Sequence, residues 1–260
     1  MTDAFGRAIL DHHRGEREVN CREASERASG SERSKRHASR ESPLWQCDGE
    51  ERLRHPIEDF YFGEFDPDSE AGAWLVERLD GPLVDLGAGA GRDALYFQER
   101  FETVALEVSE RLLETLRERG VEDARRGDMF DLRSQFERDR FRSALALGTQ
   151  VGLAGSMRSL REFLGDLAHV TTPDATAVVD MYDPEYGDAD EMLGFRADPT
   201  PGLAYRVTWF EYEGDADEAL LFRLFSPDRL REATAGTGWA VTDVYRPGDA
   251  YYYRAALAKR

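Results

Sequence analysis

The chain has 260 residues, enough for one large α/β domain with a full core or one such domain plus an accessory segment, and too few for two equal domains of that kind. Its 52 acidic against 34 basic residues give a formal net charge of -18, with Lys35 and Lys259 the only lysines. This balance argues against nonspecific nucleic-acid or anionic-membrane binding, which needs clustered Lys and Arg. It reads as the halophilic composition of a salty cytoplasm, where molar salt screens like charges within about 3 Å.

From the N-terminus, MTDAFGRAILDHHRGERE has neither an apolar core nor a small-residue cleavage site, and no run approaches a membrane span. A soluble, cytoplasmic protein is expected. Residues 16–41 are rich in Ser, Arg and Glu and nearly free of large apolar side chains, so they cannot bury enough surface to offset their ordering entropy. We read them as a flexible insertion within an N-terminal segment, 1–65, whose flanking aromatic and aliphatic anchors are expected to pack on the main domain. Cys21, Cys47, His12, His13, His37 and His55 show neither a disulfide framework nor zinc-type spacing; no metal site is expected, and these side chains read as solvated.

The main domain is expected over 66–260. AGAWLVERL predicts a helix with Trp74, Leu75 and Leu79 on its apolar face. Leu83 to Leu86 reads as a buried strand, Arg92 to Phe101 as a helix, and Thr103 to Val108 as a strand. Ser109 then caps a helix that turns Leu112, Leu113 and Leu116 inward and stops at Gly120. A weak strand at Asp123 to Arg126, a strand at Ser143 to Leu147, a helix opened by Ser156 and a strand at Ala175 to Met181 follow. Such alternation makes an α/β, Rossmann-like, doubly wound and mostly parallel sheet. Residues 204–225 predict an inserted hairpin, Ser226 and Pro227 open a further helix, and Trp239 to Tyr245 with Tyr251 to Ala258 predict a terminal antiparallel hairpin.

The most informative stretch is LVDLGAGAGRDALYF, where a buried strand carrying Asp85 runs into a turn with Gly87, Gly89 and Gly91 and at once into a helix. Glycines there permit positive φ and close approach of a ligand to the backbone. About twenty residues on, the second strand ends in Glu107, the spacing at which an acidic side chain accepts hydrogen bonds from ribose hydroxyls. The turn is G-x-G-x-G with an acid two residues before it, not the G-x-G-x-x-G of dinucleotide folds. A carboxylate there suits a cationic cofactor better than a pyrophosphate.

In these residues the chain resembles the class I S-adenosylmethionine-dependent methyltransferases, from about Asp66 to the C-terminus. The resemblance implies that Gly87, Gly89 and Gly91 pass under the amino-acid part of the cofactor while Asp85 helps to hold it. It implies that Glu107 grips the ribose, that Asp128 in GDMFD meets the adenine amino group, and that Met129 and Leu147 also contact the cofactor. It implies a methyltransferase whose rate comes largely from positioning, with no obligatory catalytic acid or base. The fourth strand ends in LGTQVG without the motif of amino-methylating nucleic-acid enzymes, so a small-molecule acceptor is expected and a nucleic-acid partner is not. Thr149, Gln150 and Tyr182 at strand ends, and Tyr61 in an aromatic run, are the substrate-side candidates; a turn former or core aromatic explains each equally well. A noncatalytic cofactor-binding protein or partner-dependent subunit, and a tRNA or protein methyltransferase docking through the 16–41 insertion, remain alternatives. The acceptor and the oligomeric state are not written in the sequence.

Overall fold

The computed structural model describes residues 2–15, 42–248 and 250–260; the 16–41 insertion, with Cys21 and His37, lies outside the described residues. Helix α1 covers residues 4–15, followed by strands β1 (Trp45–Asp48) and β2 (Glu51–Arg54) and a π-helical turn, Glu58–Phe62. The alternating region comprises α2 (Glu70–Val76), β3 (Leu83–Leu86), α3 (Arg92–Gln98), β4 (Thr103–Glu107), α4 (Glu110–Arg119), β5 (Ala124–Arg126), α5 (Leu132–Gln135), β6 (Phe141–Ala146), α6 (Met157–Val170) and β7 (Thr171–Tyr182). Strands β8 (Phe195–Ala197), β9 (Leu203–Tyr212), β10 (Asp215–Ala216) and β11 (Leu220–Phe225) come next, then α7 (Pro227–Thr234), β12 (Trp239–Tyr245) and β13 (Tyr252–Lys259).

The main sheet runs β12-β13-β7-β6-β3-β4-β5. β3 to β7 are mutually parallel, whereas β13 is antiparallel to both β7 and β12. Consecutive strands β3, β4 and β5 extend the sheet one way and β6 and β7 the other, so the order reverses at β3. A crevice opens at such a switch point, outside the C-terminal ends of the strands.

Local chemistry explains the helix starts. The Ser69, Ser109 and Ser156 hydroxyls accept the amides of Gly72, Leu112 and Ser159, each at 3.1 Å. Ser69 is thus the cap of α2. Helix α4 buries Leu112, Leu113 and Leu116 and ends at Gly120 in a left-handed conformation. Each buried leucine contributes about 1.5–3 kcal/mol of transfer free energy. On one face of the sheet, α6 sends Leu160, Phe163, Leu164 and Leu167 into the largest core; on the other, Leu75 of α2 and Phe97 of α3 are buried with Leu79, which lies beyond the end of α2 rather than on its expected apolar face.

A second, six-stranded sheet joins the inserted hairpin to the N-terminal segment. β9 pairs antiparallel with β11, β8 and β10 and also with β1, whose Trp45 lies opposite Glu211. Helix α1 bridges the two sheets. Ala4 and Ala8 pack with Phe210 and Tyr212 of the second, while Ile9 packs with Phe62 and, on the side of the first, with Ala90 of the glycine turn and Leu112 of α4. Ala90 belongs to the glycine turn, so the N-terminal segment seats directly on that turn.

Candidate functional site at the glycine turn

Asp85 lies in β3 and the turn follows at its C-terminal end. Gly87, Gly89 and Gly91 have φ of +71°, +59° and +83°. The Gly87 and Ala88 amides donate to Leu106 O at 2.9 and 3.2 Å, tying the turn to β4. At Gly91 an added Cβ would lie 2.6 Å from Leu116 and 2.9 Å from Val121, so close packing of α3 on α4 demands this glycine.

Glu107 ends β4 and is 6% exposed. Its carboxylate accepts amide hydrogens from Gly89 (3.1 Å), Val108 (2.8 Å) and Ser109 (3.0 Å). Burial raises its pKa and these amides oppose the rise. Those bonds leave acceptor capacity for a ligand. Asp85, 4% exposed, is different: among the described residues no donor reaches its carboxylate. Burial, then the charges of Asp93 and Glu107, push it well above the usual carboxylate range, with Arg92 opposing. The neighbouring Asp93, half-buried, accepts Arg92 Nη2 at 3.4 Å on its Oδ2, while its buried Oδ1 has no partner. Buried carboxylate oxygens of this kind are costly unless something else satisfies them.

Two of the substrate-side candidates meet the turn. The Gln150 carboxamide covers Gly87, where an added Cβ would come within 2.8 Å of its Cδ, and the Tyr61 ring lies 3.8 Å from the Cβ position of Gly89. Tyr182 closes β7 half-buried, its ring 5.4 Å from Tyr251 and 6.0 Å from Tyr252. Thr149 shapes the backbone: it is buried at φ +61°, and its amide donates to Asp180. Asp128 is exposed, its Oδ1 accepting the Phe130 amide at 2.8 Å in a turn, while Met129 is buried in the main core. Leu147 packs half-buried on the opposite side of the sheet from Met129.

Two site residues escape sequence reasoning. Asp180 accepts the amides of Gly148 and Thr149 and the Tyr252 hydroxyl, bracing the end of β6 against β7. Its signal was a lone acid inside the apolar run AVVDMY. His55 is not solvated, and neither is Cys47, which is buried. The His55 Nε2 lies 3.0 Å from the Tyr61 hydroxyl among the rings of Phe5, Phe60 and Phe210, and burial, with the nearby Arg206 charge, lowers its pKa to about 4.

No known protein family and no curated protein matches the sequence. Solved structures share its fold. An S-adenosylmethionine-dependent methyltransferase from Bacteroides fragilis, in complex with S-adenosyl-L-homocysteine, aligns with TM-score 0.70 and 20% identity over 99% of this chain and 94% of its own. The CcbJ methyltransferase from Streptomyces caelestis aligns with TM-score 0.57 and 16% identity, covering 78% of this chain and 94% of its own. CalS10 from Micromonospora echinaspora, an amino pentose methyltransferase with S-adenosylmethionine bound, aligns with TM-score 0.50 and 17% identity over 68% and 83%. At these identities the likeness shows a shared fold, and that fold is the one found in S-adenosylmethionine-dependent methyltransferases.

Proposed function

We propose that the chain is an S-adenosylmethionine-dependent methyltransferase acting on a small-molecule acceptor. The observation that carries this reading is a pair of carboxylates at a turn built of left-handed glycines: Asp85, buried without a donor, and the half-buried Asp93, which meets Arg92 at 3.4 Å through Oδ2 and leaves its Oδ1 without a partner. Such a site fits a cofactor whose amino-acid end carries an ammonium and disfavours a pyrophosphate. When bound, the cofactor supplies a methyl group on a sulfonium, a good leaving group that needs no acid.

In this reading Gly87, Gly89 and Gly91 cradle the cofactor, Asp85 neutralises its ammonium and Glu107 accepts its ribose hydroxyls. Asp128 takes the adenine amino group, with Met129 on its apolar side, and Leu147, on the opposite face of the sheet, takes no part in that contact. Gln150, Tyr61 and Tyr182 orient the acceptor, Thr149 holds the loop, and the rate comes from this positioning. A small acceptor agrees with CalS10, whose name specifies an amino pentose. Among the described residues no helix is long and apolar enough to cross a membrane. We read the acidic, lysine-poor composition as adaptation to a salty cytoplasm, with residues 1–65 as an N-terminal segment serving the 66–260 domain.

Calorimetric titration with S-adenosylhomocysteine, with NADH as control, tests the assignment. Binding of the first alone is expected. Binding of NADH alone, or of neither, would refute it.

A further inference from the structure

We propose that Arg206 makes the acceptor side of this site selective for a small carboxylate with a planar apolar body, held beside Tyr61 and Tyr182. The inference rests on the methyltransferase reading for its placement next to a methyl donor, but the carboxylate site has its own evidence.

Arg206 projects from β9, and its guanidinium carbon lies 5.7 Å from the centroid of the Tyr182 ring, at the C-terminal edge of the parallel strands where ligands bind in such sheets. Its charge also reaches Tyr61 and His55. Tyr61, which feels that charge, in turn covers Gly89 of the glycine turn.

The guanidinium is held in place without being neutralised. Its Nε donates to Leu193 O at 3.0 Å and its Nη2 to Gln46 Oε1 at 3.1 Å, both uncharged acceptors. Gln46 is itself buried and anchored on Thr208 at 3.3 Å. Among the described residues no carboxylate lies within ion-pair distance of Arg206, in a chain with 52 acids. Arg223 and Arg246 are paired with Asp198 at 2.8 Å and with Asp183, whereas Arg254, like Arg206, donates to uncharged acceptors, the Tyr252 hydroxyl and Ala71 O. A half-buried charge without a counter-ion is expensive to keep, and a planar fork with free donors matches a carboxylate bidentately. His55 adds no competing charge, since its imidazole is neutral at physiological pH. The rings of Tyr61 and Tyr182 supply flat apolar faces, Tyr61 backed by Phe5, which packs in turn on the buried Phe210.

Benzoate and benzamide, alike in shape and different in charge, are the probes. Each is titrated calorimetrically into the full chain with and without S-adenosylhomocysteine. Benzoate is expected to bind about tenfold more tightly than benzamide, the difference between a charge-assisted and a neutral hydrogen-bonded contact. Arg206→Gln should erase that ratio and Arg206→Lys should keep part of it. A measurement on the unaltered protein guards against misfolded variants: benzoate, by neutralising Arg206, should raise the NMR titration midpoint of His55 from about 4, and benzamide should not. Equal binding of the two probes, absence of benzoate binding, or a preference that survives Arg206→Gln would overturn the proposal. A benzoate preference without S-adenosylhomocysteine binding would leave the carboxylate site standing and remove the methyltransferase reading.

Discussion

Replacing Gly91 by alanine separates what the glycine turn owes to packing from what it owes to backbone conformation. The Cβ would sit 2.6 Å from Leu116 Cδ2 and 2.9 Å from Val121 Cγ2, at a φ of +83°. Both neighbours belong to the cluster in which Ala94 of α3 meets Leu113 and Leu116 of α4. A left-handed L-residue costs about 1–2 kcal/mol, and overpacking a filled core adds about 1–3 kcal/mol. Gly91→Ala should therefore lose about 2–5 kcal/mol. Gly89→Ala is the control, with φ +59° and only Tyr61 Cδ1 nearby, at an ordinary 3.8 Å. It should lose only the backbone cost, about 1–2 kcal/mol. Urea unfolding followed by circular dichroism reads both, provided the slopes match. Equal losses, or a Gly91→Ala loss below about 1 kcal/mol, would refute the packing argument.

The Asp85 carboxyl titrates above its ordinary range in the fold, so the native state holds that proton more tightly than the unfolded chain does. Stability from this group therefore falls as pH rises through the folded value, and the ionised group is a burden at neutral pH. Asp85→Asn should raise the urea midpoint at neutral pH by about 1 kcal/mol equivalent, shrink the decline between mildly acidic and neutral pH, and weaken S-adenosylhomocysteine binding; a destabilised variant would contradict this. Ser109→Ala removes the cap on Leu112 and a hydrogen bond to Asp3 before α1. A loss of about 1–2 kcal/mol is expected in the same unfolding assay. Tyr253→Phe deletes a buried hydroxyl that donates to Phe225 O at 2.8 Å and should cost about 1–3 kcal/mol; an unchanged thermal midpoint would show that bond to be dispensable.

Elements whose partners lie close in sequence were legible. Ser109, the leucines of α4 and Gly120 mark a helix whose cap, buried face and stop all appear in the structure. The alternation from Leu83 to Met181 gives the parallel sheet for the same reason, because each crossover packs on the strands beside it. The N-terminal elements were not legible. β1 is four residues, WQCD, and finds its partner at Trp209 to Glu211; β2 is exposed throughout, so no apolar alternation marks it. Trp74, expected on the core face, is half-buried, its indole donating to Asp243 at 3.0 Å under the Arg78 guanidinium.

Within the site, Asp85, Glu107 and the glycines were legible because their spacing is local to one β-α-β unit. Tyr61 and Gln150 lie against that turn, whereas Thr149 serves the backbone of its own loop. His55 and Arg206 were missed because their significance depends on contacts across more than 100 residues: each faces the other only once β9 has paired with β1.

In the proposed function the carboxylate ending β4 grips a nucleoside cofactor at the glycine turn. Calorimetric titration of S-adenosylhomocysteine into the unaltered protein, Glu107→Gln and Glu107→Ala tests that grip directly. Binding by the first is expected, with at least about tenfold weaker binding by both variants, the loss of charge-assisted hydrogen bonds, and with circular dichroism unchanged. Equal affinity across the three folded proteins would contradict it.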